Sequence, residues 1–355
     1  MDDLRMDSHK LIFHVGRVNE WMKGKDIYPI FMDVSPTNAC NHRCVFCGLD
    51  FAHPEKISFL DEKKFTAAVG TAAKRGLKSI MYAGEGEPLL HKGLSRIIKM
   101  TVKNGVDAAL ATNGVLMGRD FLEEALGRLT WIRVSIDAGS PKTYAYMHSC
   151  RPSDLGKVFS NLEYAVRAKK RRKLPVTIGA QFLLLKENAG EAVMLARRLQ
   201  GMGIDYLSIK PYSKHPLSVN DAGSELDYSK MVPLEKKLAK FNKGRFRVIF
   251  RKHTMLKRFK PKPYKRCLCL PFWAYVSATG DVYPCHTFLG VKKFSYGNLN
   301  EASFTAIWKG ARRKKIMKYF EKKMDAGLCR ELCRLDEING YLWQLKHPHP
   351  HVNFI

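Results

Sequence analysis

A chain of 355 residues with 45% hydrophobic content has room for one large α/β domain plus a smaller appendage, and is too apolar for wholesale disorder. Lys and Arg outnumber Asp and Glu by 61 to 33, and a net charge of +28 attracts anions: a phosphorylated small molecule, an acidic peptide, nucleic acid or lipid headgroups. The N-terminal MDDLRMDSHK lacks the apolar core of a secretory signal, and no apolar run is long enough to span a bilayer, which predicts a cytoplasmic protein without a membrane partner.

From residue 27 onward, short apolar runs alternate with amphipathic stretches. IYPIFMDV (27–34) reads as a strand. FTAAVGTAAKRG then reads as a helix, KSIMYAG as a second strand, KGLSRIIKMTVKNG as a helix and VDAALATNG as a third strand. FLEEALGRL precedes the strand WIRVSID, LGKVFSNLEYAVRAKK precedes PVTIGAQFLLL, and EAVMLARRLQGMG precedes IDYLSIK. A further helix, MVPLEKKLAKF, follows a loop. Six strands in repeated βα units, without a Gly-x-Gly-x-x-Gly after the first, predict a partial (β/α)6 TIM-like barrel rather than a dinucleotide-binding sheet. Chemistry is then expected at the C-terminal strand ends.

Residues 1–26 read as an N-terminal extension, 27–256 as the barrel, 257–335 as a small C-terminal domain of a β-hairpin plus helix, and 336–355 as a tail. Basic residues concentrate in RAKKRRK (167–173), KRFKPKPYKR (257–266) and KGARRKKIMKYFEKK (309–323). The last is interrupted by apolar residues at helical spacing, as in a solvated helix face. No RNA-recognition aromatics or paired zinc finger accompany the charge, which disfavours nucleic acid. His347, His349 and His351 alternate with prolines, suggesting an extended tail that is either surface or a weak metal or substrate clasp.

The nine cysteines are an odd number without a secretory signal, so metal takes precedence over disulfides. Cys40, Cys44 and Cys47 lie in CNHRCVFC, just after the first strand. Three thiolates leave one iron of a [4Fe–4S] cubane open. The alternative is a zinc site completed by His42 or His53.

This loop resembles the Cys-x3-Cys-x-aromatic-Cys motif of radical S-adenosylmethionine enzymes, with Phe46 as the aromatic residue. The resemblance implies a [4Fe–4S] cluster whose open iron is chelated by S-adenosyl-L-methionine. Its reductive cleavage gives a 5′-deoxyadenosyl radical that abstracts hydrogen from substrate. AGEGEPLLH (83–91) resembles the family's Gly-Gly-Glu-Pro element and implies cofactor contacts from Gly84, Glu85, Gly86 and Glu87, although Glu85 stands where the first glycine is usual. Asn113, Ser135, Arg151, Gln181 and Asn188, at or near later strand ends, are implied as further cofactor contacts.

CLCLPFWAYVSATGDVYPC (267–285) and YGNLNEASFTAIW (296–308) resemble the SPASM/Twitch extension of these enzymes. The resemblance implies one auxiliary [4Fe–4S] cluster on Cys269, Cys285, Cys329 and Cys333, with Cys267 as the alternative to Cys269. A zinc knuckle is the competing reading. Cys150, in the loop after the fourth strand, is a possible hydrogen-atom donor.

The expected reaction is oxidation of a small polar, anionic metabolite, phosphorylated or sugar-like, with the auxiliary cluster as electron acceptor and a flavodoxin- or ferredoxin-like protein as reductant. Epimerisation of the same substrate class and peptide maturation are alternatives. Only 26 residues precede the first strand, fewer than a peptide-binding domain needs. A zinc-bound nucleic-acid adaptor would explain the charge and cysteines, but not AGEGEP or the βα units.

Overall fold

The computed structural model describes residues 4–52, 56–223, 226–258 and 260–354. Its sheet runs through β1 (Phe31–Val34), β2 (Ser79–Tyr82), β3 (Asp107–Thr112), β4 (Leu129–Ser135), β5 (Thr177–Leu184), β6 (Tyr206–Pro211) and β7 (Arg247–Phe250). Each of these pairs with the next in parallel. Three C-terminal strands follow: β8 (Trp273–Val276), β9 (Asp281–Tyr283) and β10 (Gly297–Asn298). The spatial order is β10-β9-β8-β1-β2-β3-β4-β5-β6-β7, an open α/β sheet with β7 and β10 at its edges.

The partial barrel is therefore larger than six strands. β7 adds a parallel neighbour to β6, and β8 pairs in parallel with β1, Phe31 opposite Trp273 and Val34 opposite Val276. β7 escapes sequence reasoning because it is only four residues long, half exposed at the edge, and flanked by charge in GRFRVIFRKH. β8 was expected in a separate small domain, yet the hairpin β8–β9 extends the barrel's own sheet.

Helices cover the outer face as the apolar spacing predicts. Asp61 caps the helix Glu62–Ala73 by accepting from Lys64 N–H at 2.9 Å. Phe65, Val69 and Ala72 of that helix, and Ile97 and Ile98 of Leu94–Lys103, pack on the outward side chains of the strands. Strand alternation divides the two faces. Met32, Val34, Ile80, Tyr82, Leu110, Ile132, Val134, Ala180, Phe182, Leu207 and Ile209 enter this outer core. The intervening Asp33, Met81, Ala111, Arg133, Gln181 and Lys210 turn into the lumen, where they line one cavity.

Residues 336–346 form a helix rather than a tail. Its Asn339 is buried and accepts from the N–H groups of Leu268 and Cys269 at 2.7 and 3.0 Å, fixing the loop before β8. His347 ends this helix, stacked on Trp343 at 3.9 Å. Among the described residues, the histidines of the HPHPH stretch belong to no metal-like grouping. No helix of the described residues is long and apolar enough to cross a membrane.

Candidate active site

The cysteine loop leaves the C-terminal end of β1 and is pinned on both sides. Thr37 Oγ1 donates to Ser58 O at 2.8 Å, and Asn38 Oδ1 accepts from Ser58 N–H at 2.7 Å. Cys40, Cys44 and Cys47 lie near enough to influence one another's ionisation, and burial raises all three thiols above their usual range. Cys47 N–H donates to Cys44 O at 3.0 Å, but among the described residues no hydrogen bond joins the three sulfurs. Thiols gathered but held apart fit ligands to separate irons of one cluster better than ligands to one ion. A tighter group of His42, Cys44 and His148, with ligand atoms within 4.8 Å, has the spacing for a single ion. His53, the other zinc candidate, lies outside the described residues.

AGEGEP packs directly against this loop. A Cβ on Gly86 would lie 1.9 Å from Ala39 O, and Glu87 N–H donates to that same oxygen at 2.8 Å. Gly84 has φ +108°, and a Cβ there would meet Ser35 Cβ at 2.5 Å. The two acidic side chains are committed to the scaffold. Glu87 is buried and accepts from Thr112 Oγ1 at 2.6 Å, Asn113 N–H at 2.8 Å and Leu89 N–H at 3.1 Å, tying β2 to β3. Glu85 accepts from Ala278 N–H at 3.1 Å and Tyr275 O–H at 3.3 Å. Burial raises both carboxyls despite these donors. The glutamate in the unusual position thus grips the β8–β9 hairpin.

The remaining predicted residues divide. Asn113 Nδ2 donates to Asn41 Oδ1 at 2.8 Å, joining β3 to the cysteine loop. Ser135 and Gln181 are paired neighbours at the ends of β4 and within β5, and Gln181 lines the lumen. Phe46 meets the His148 ring edge-on at 5.5 Å. Asn188 is fully buried; its amide donates to Asp137 O and Leu183 O and accepts from Leu185 N–H, so it shapes the loop after β5 instead of facing a ligand. Arg151 is exposed and lines no part of the lumen. Cys150 also lies off the lumen wall, grouped with His42 and Asp154, and burial pushes its thiol up to about 11.

The lumen encloses a cavity of about 380 Å³. Its walls include Leu49 from the cysteine loop and Cys333 from the C-terminal segment, with Asp33, Arg133, Lys210, Arg251, Arg330 and Arg334 between them. Arg334 pairs with Asp33 at 2.5 Å. Arg330 donates to Ser213 Oγ and His286 Nε2, both at 2.6 Å. Burial lowers Arg133, and takes Lys210 down to about 7, with the neighbouring Arg133 and Arg251 adding to the effect. Sequence reasoning missed these residues. Their signal was a charged residue inside an apolar parallel strand, WIRVS and LSIKP.

All five C-terminal cysteines come together. Cys267 and Cys269 have sulfurs 3.7 Å apart, and Asn339 Nδ2 reaches Cys267 Sγ at 3.6 Å. Cys267 is close enough to raise the thiols of Cys285, Cys329 and Cys333. Its own thiol is lowered, first by the hydrogen bond with Cys269. Asp336 accepts from Cys333 N–H at 2.9 Å.

Two family models match the chain: the Radical SAM superfamily over residues 34–199, and the SPASM iron–sulfur cluster-binding domain over residues 267–334. The chain belongs to the radical SAM superfamily. As a radical SAM protein with a SPASM domain it uses a [4Fe–4S] cluster, S-adenosylmethionine and an auxiliary cluster. It is 25% identical over 303 residues to the tungsten-containing aldehyde ferredoxin oxidoreductase cofactor-modifying protein of Pyrococcus furiosus, covering 78% of this chain and 80% of that protein. It is 31% identical over 151 residues to GTP 3′,8-cyclase of Campylobacter jejuni, covering 41% of this chain and 45% of that one. The structure of Streptococcus suis SuiB bound to precursor peptide SuiA superimposes with TM-score 0.67 at 16% identity, covering 96% of this radical SAM chain and 78% of SuiB. That likeness concerns the fold.

Proposed function

We propose that this radical SAM enzyme dehydrogenates a small polar, anionic metabolite, with the auxiliary cluster as electron acceptor. The observation that carries the reading is the lumen cavity, walled at one side by the cysteine loop through Leu49 and at the other by Cys333, and lined with cations. Bound at the loop cluster, S-adenosylmethionine supplies on one-electron reduction the 5′-deoxyadenosyl radical that takes a hydrogen atom from substrate.

The chain's own residues have assignable parts in this reading. Cys40, Cys44 and Cys47 hold the first cluster. Gly84 and Gly86 keep the β2 end flush against the loop, and Asn113, Ser135 and Gln181 offer polar groups at the strand ends. Cys285, Cys329 and Cys333 hold the auxiliary cluster. Cys285 and Cys333 act on Cys267 and Cys269 alike, and those two sulfurs are 3.7 Å apart, so Cys269 of CLPFW is kept as the fourth ligand with Cys267 as its alternative. A lumen cavity of about 380 Å³ is the size of a small-metabolite site. The position of Cys150 off the cavity wall disfavours it as a hydrogen donor, and with it epimerisation.

The test is a substrate screen by 5′-deoxyadenosine release from anaerobically reconstituted enzyme, supplied with a flavodoxin or ferredoxin as reductant. The low-mass fraction of a cell extract retained on an anion exchanger should stimulate release, and the product should be two hydrogens lighter than substrate. Stimulation by the peptide fraction alone would overturn the substrate class. A product of unchanged mass carrying solvent deuterium would overturn the oxidation.

A further inference from the structure

We propose that Arg133 and Lys210 form a subsite for a dianionic phosphoryl group of the substrate. The inference rests on the reading of the lumen as the substrate cavity and adds to it a chemical class and two residues. Both side chains reach the lumen because β4 and β6 alternate: Ile132, Val134 and Ile209 face the helices, leaving Arg133 and Lys210 on the opposite face.

Five cations and one carboxylate, Asp33, line this cavity. Three of the cations are already engaged. Arg334 is paired with Asp33, Arg330 is held by Ser213 and His286, and Arg251 is paired with Asp7 at 3.3 Å and bonded to Thr254 at 3.0 Å. Arg330 and Arg334 are also the sequence neighbours of Cys329 and Cys333, and Arg330 lies close enough to Cys333 to feel its charge. Among the described residues, neither the half-buried Arg133 guanidinium nor the half-buried Lys210 ammonium has a hydrogen-bond or ion-pair partner; Arg133 lies over the Trp131 ring at 5.1 Å, and Asp33 and Asp137 act on the two cations only at longer range.

An unpaired charge inside a protein is strongly unfavourable unless something compensates it. The protein moderates this at Lys210 by easing its proton off, but arginine cannot deprotonate. The missing counter-charge is therefore an anion that arrives from outside. A guanidinium fork presents parallel donors to two oxygens, and an ammonium adds a point charge to a third. A phosphoryl group has three terminal oxygens and up to two charges, matching both partners. A carboxylate would satisfy the fork and leave the ammonium without its share. Arg133 lies two residues before Ser135, one full pleat repeat (about 7 Å) below the strand end at which cofactor contacts are expected.

The test uses inorganic phosphate with the reconstituted holoenzyme, titrated calorimetrically with and without saturating S-adenosylmethionine. Phosphate should bind in both conditions. Arg133→Gln and Lys210→Gln should each weaken it at least tenfold, whereas Lys318→Gln, on an exposed helix face, should not. Acetate should bind at least tenfold more weakly than phosphate. Phosphate should also raise the melting temperature of the wild type, a reading that needs no variant. Equal affinity in wild type and both lumen variants, or equal affinity for acetate, would overturn the proposal. So would displacement of phosphate by S-adenosylmethionine, which would assign these cations to the methionine carboxylate. These readings do not depend on the reaction: an epimerised product together with phosphate binding at Arg133 and Lys210 would remove the dehydrogenase reading and leave the subsite standing.

Discussion

His148 Nδ1 lies 3.5 Å from Cys44 Sγ, while its Nε2 faces both the backbone N–H and the carboxylate of Asp137 at 3.3 Å. The Asp137 amide donates to Nε2, and in the tautomer that accepts it the ring hydrogen sits on Nδ1, directed at the thiolate. Hydrogen bonds to ligating sulfurs stabilise the more negative, reduced cluster and raise its potential. Loss of one such bond, worth about 1 kcal/mol, corresponds to about 40 mV for one electron. His148→Leu should therefore lower the potential of the loop cluster by that order in a titration followed by electron paramagnetic resonance. A potential unmoved by the substitution would deny the hydrogen bond any part in tuning.

Gly86→Ala tests the contact between AGEGEP and the cysteine loop. With a Cβ only 1.9 Å from Ala39 O, backbone must move, at a cost of about 1–3 kcal/mol for overpacking. The variant should lose melting temperature and incorporate less iron at the loop, while the auxiliary cluster is retained. Wild-type iron content and stability together would show that the loop yields easily.

The two neighbouring thiols before β8 make different predictions. Cys269→Ser should strip the auxiliary cluster, because Cys269 lies in the CLPFW stretch that resembles the cluster-binding extension and is acted on by Cys285 and Cys333; Cys267→Ser should retain it. Iron and sulfide analysis of each variant, with the Cys40/Cys44/Cys47 triple alanine variant as reference for a lone auxiliary cluster, reads the answer directly. The opposite pattern would make Cys267 the ligand.

Lys210 sets a pH dependence whose sign is fixed by burial. Its ammonium falls to about 7 in the folded protein against 10.5 in an unreserved lysine, so between these values the unfolded chain binds the extra proton. The charged Lys210 therefore destabilises the fold fully below about pH 7, and that penalty is relieved progressively as pH rises from about 7 towards 10.5. Compared with wild type, Lys210→Met should be more stable at pH 6, with the difference shrinking towards pH 9. Melting curves of both proteins across that range check it; a constant offset would mean that Lys210 does not titrate there.

Much of this arrangement was legible in the sequence. CNHRCVFC and AGEGEP fix their neighbourhood through backbone needs that the residue types declare, cysteines at set spacing and glycines where chains nearly touch. The six βα units followed from periodicity. What stayed hidden depended on partners far away in sequence. The unusual Glu85 made sense only with Ala278 beside it, and Asn339 only with the loop at Cys267. The tail reading failed because YLWQLK is amphipathic only relative to a surface that the rest of the fold creates. Arg133 and Lys210 were visible as charges, but which face of a strand a charge takes is set by register.

The pairing of β8 with β1 bears on how this protein could be shortened. Cut after residue 256, the chain would keep its loop cysteines but bare one entire flank of β1, a strand with Val34 fully buried in the native fold. Unsatisfied N–H and C=O groups along such a flank recruit strands from other molecules. A minimal catalytic fragment should therefore precipitate or polymerise rather than work as a simpler enzyme. The same logic makes the hairpin a seal, and any transplant of this barrel onto another C-terminal module must bring a strand that fits against Phe31–Val34.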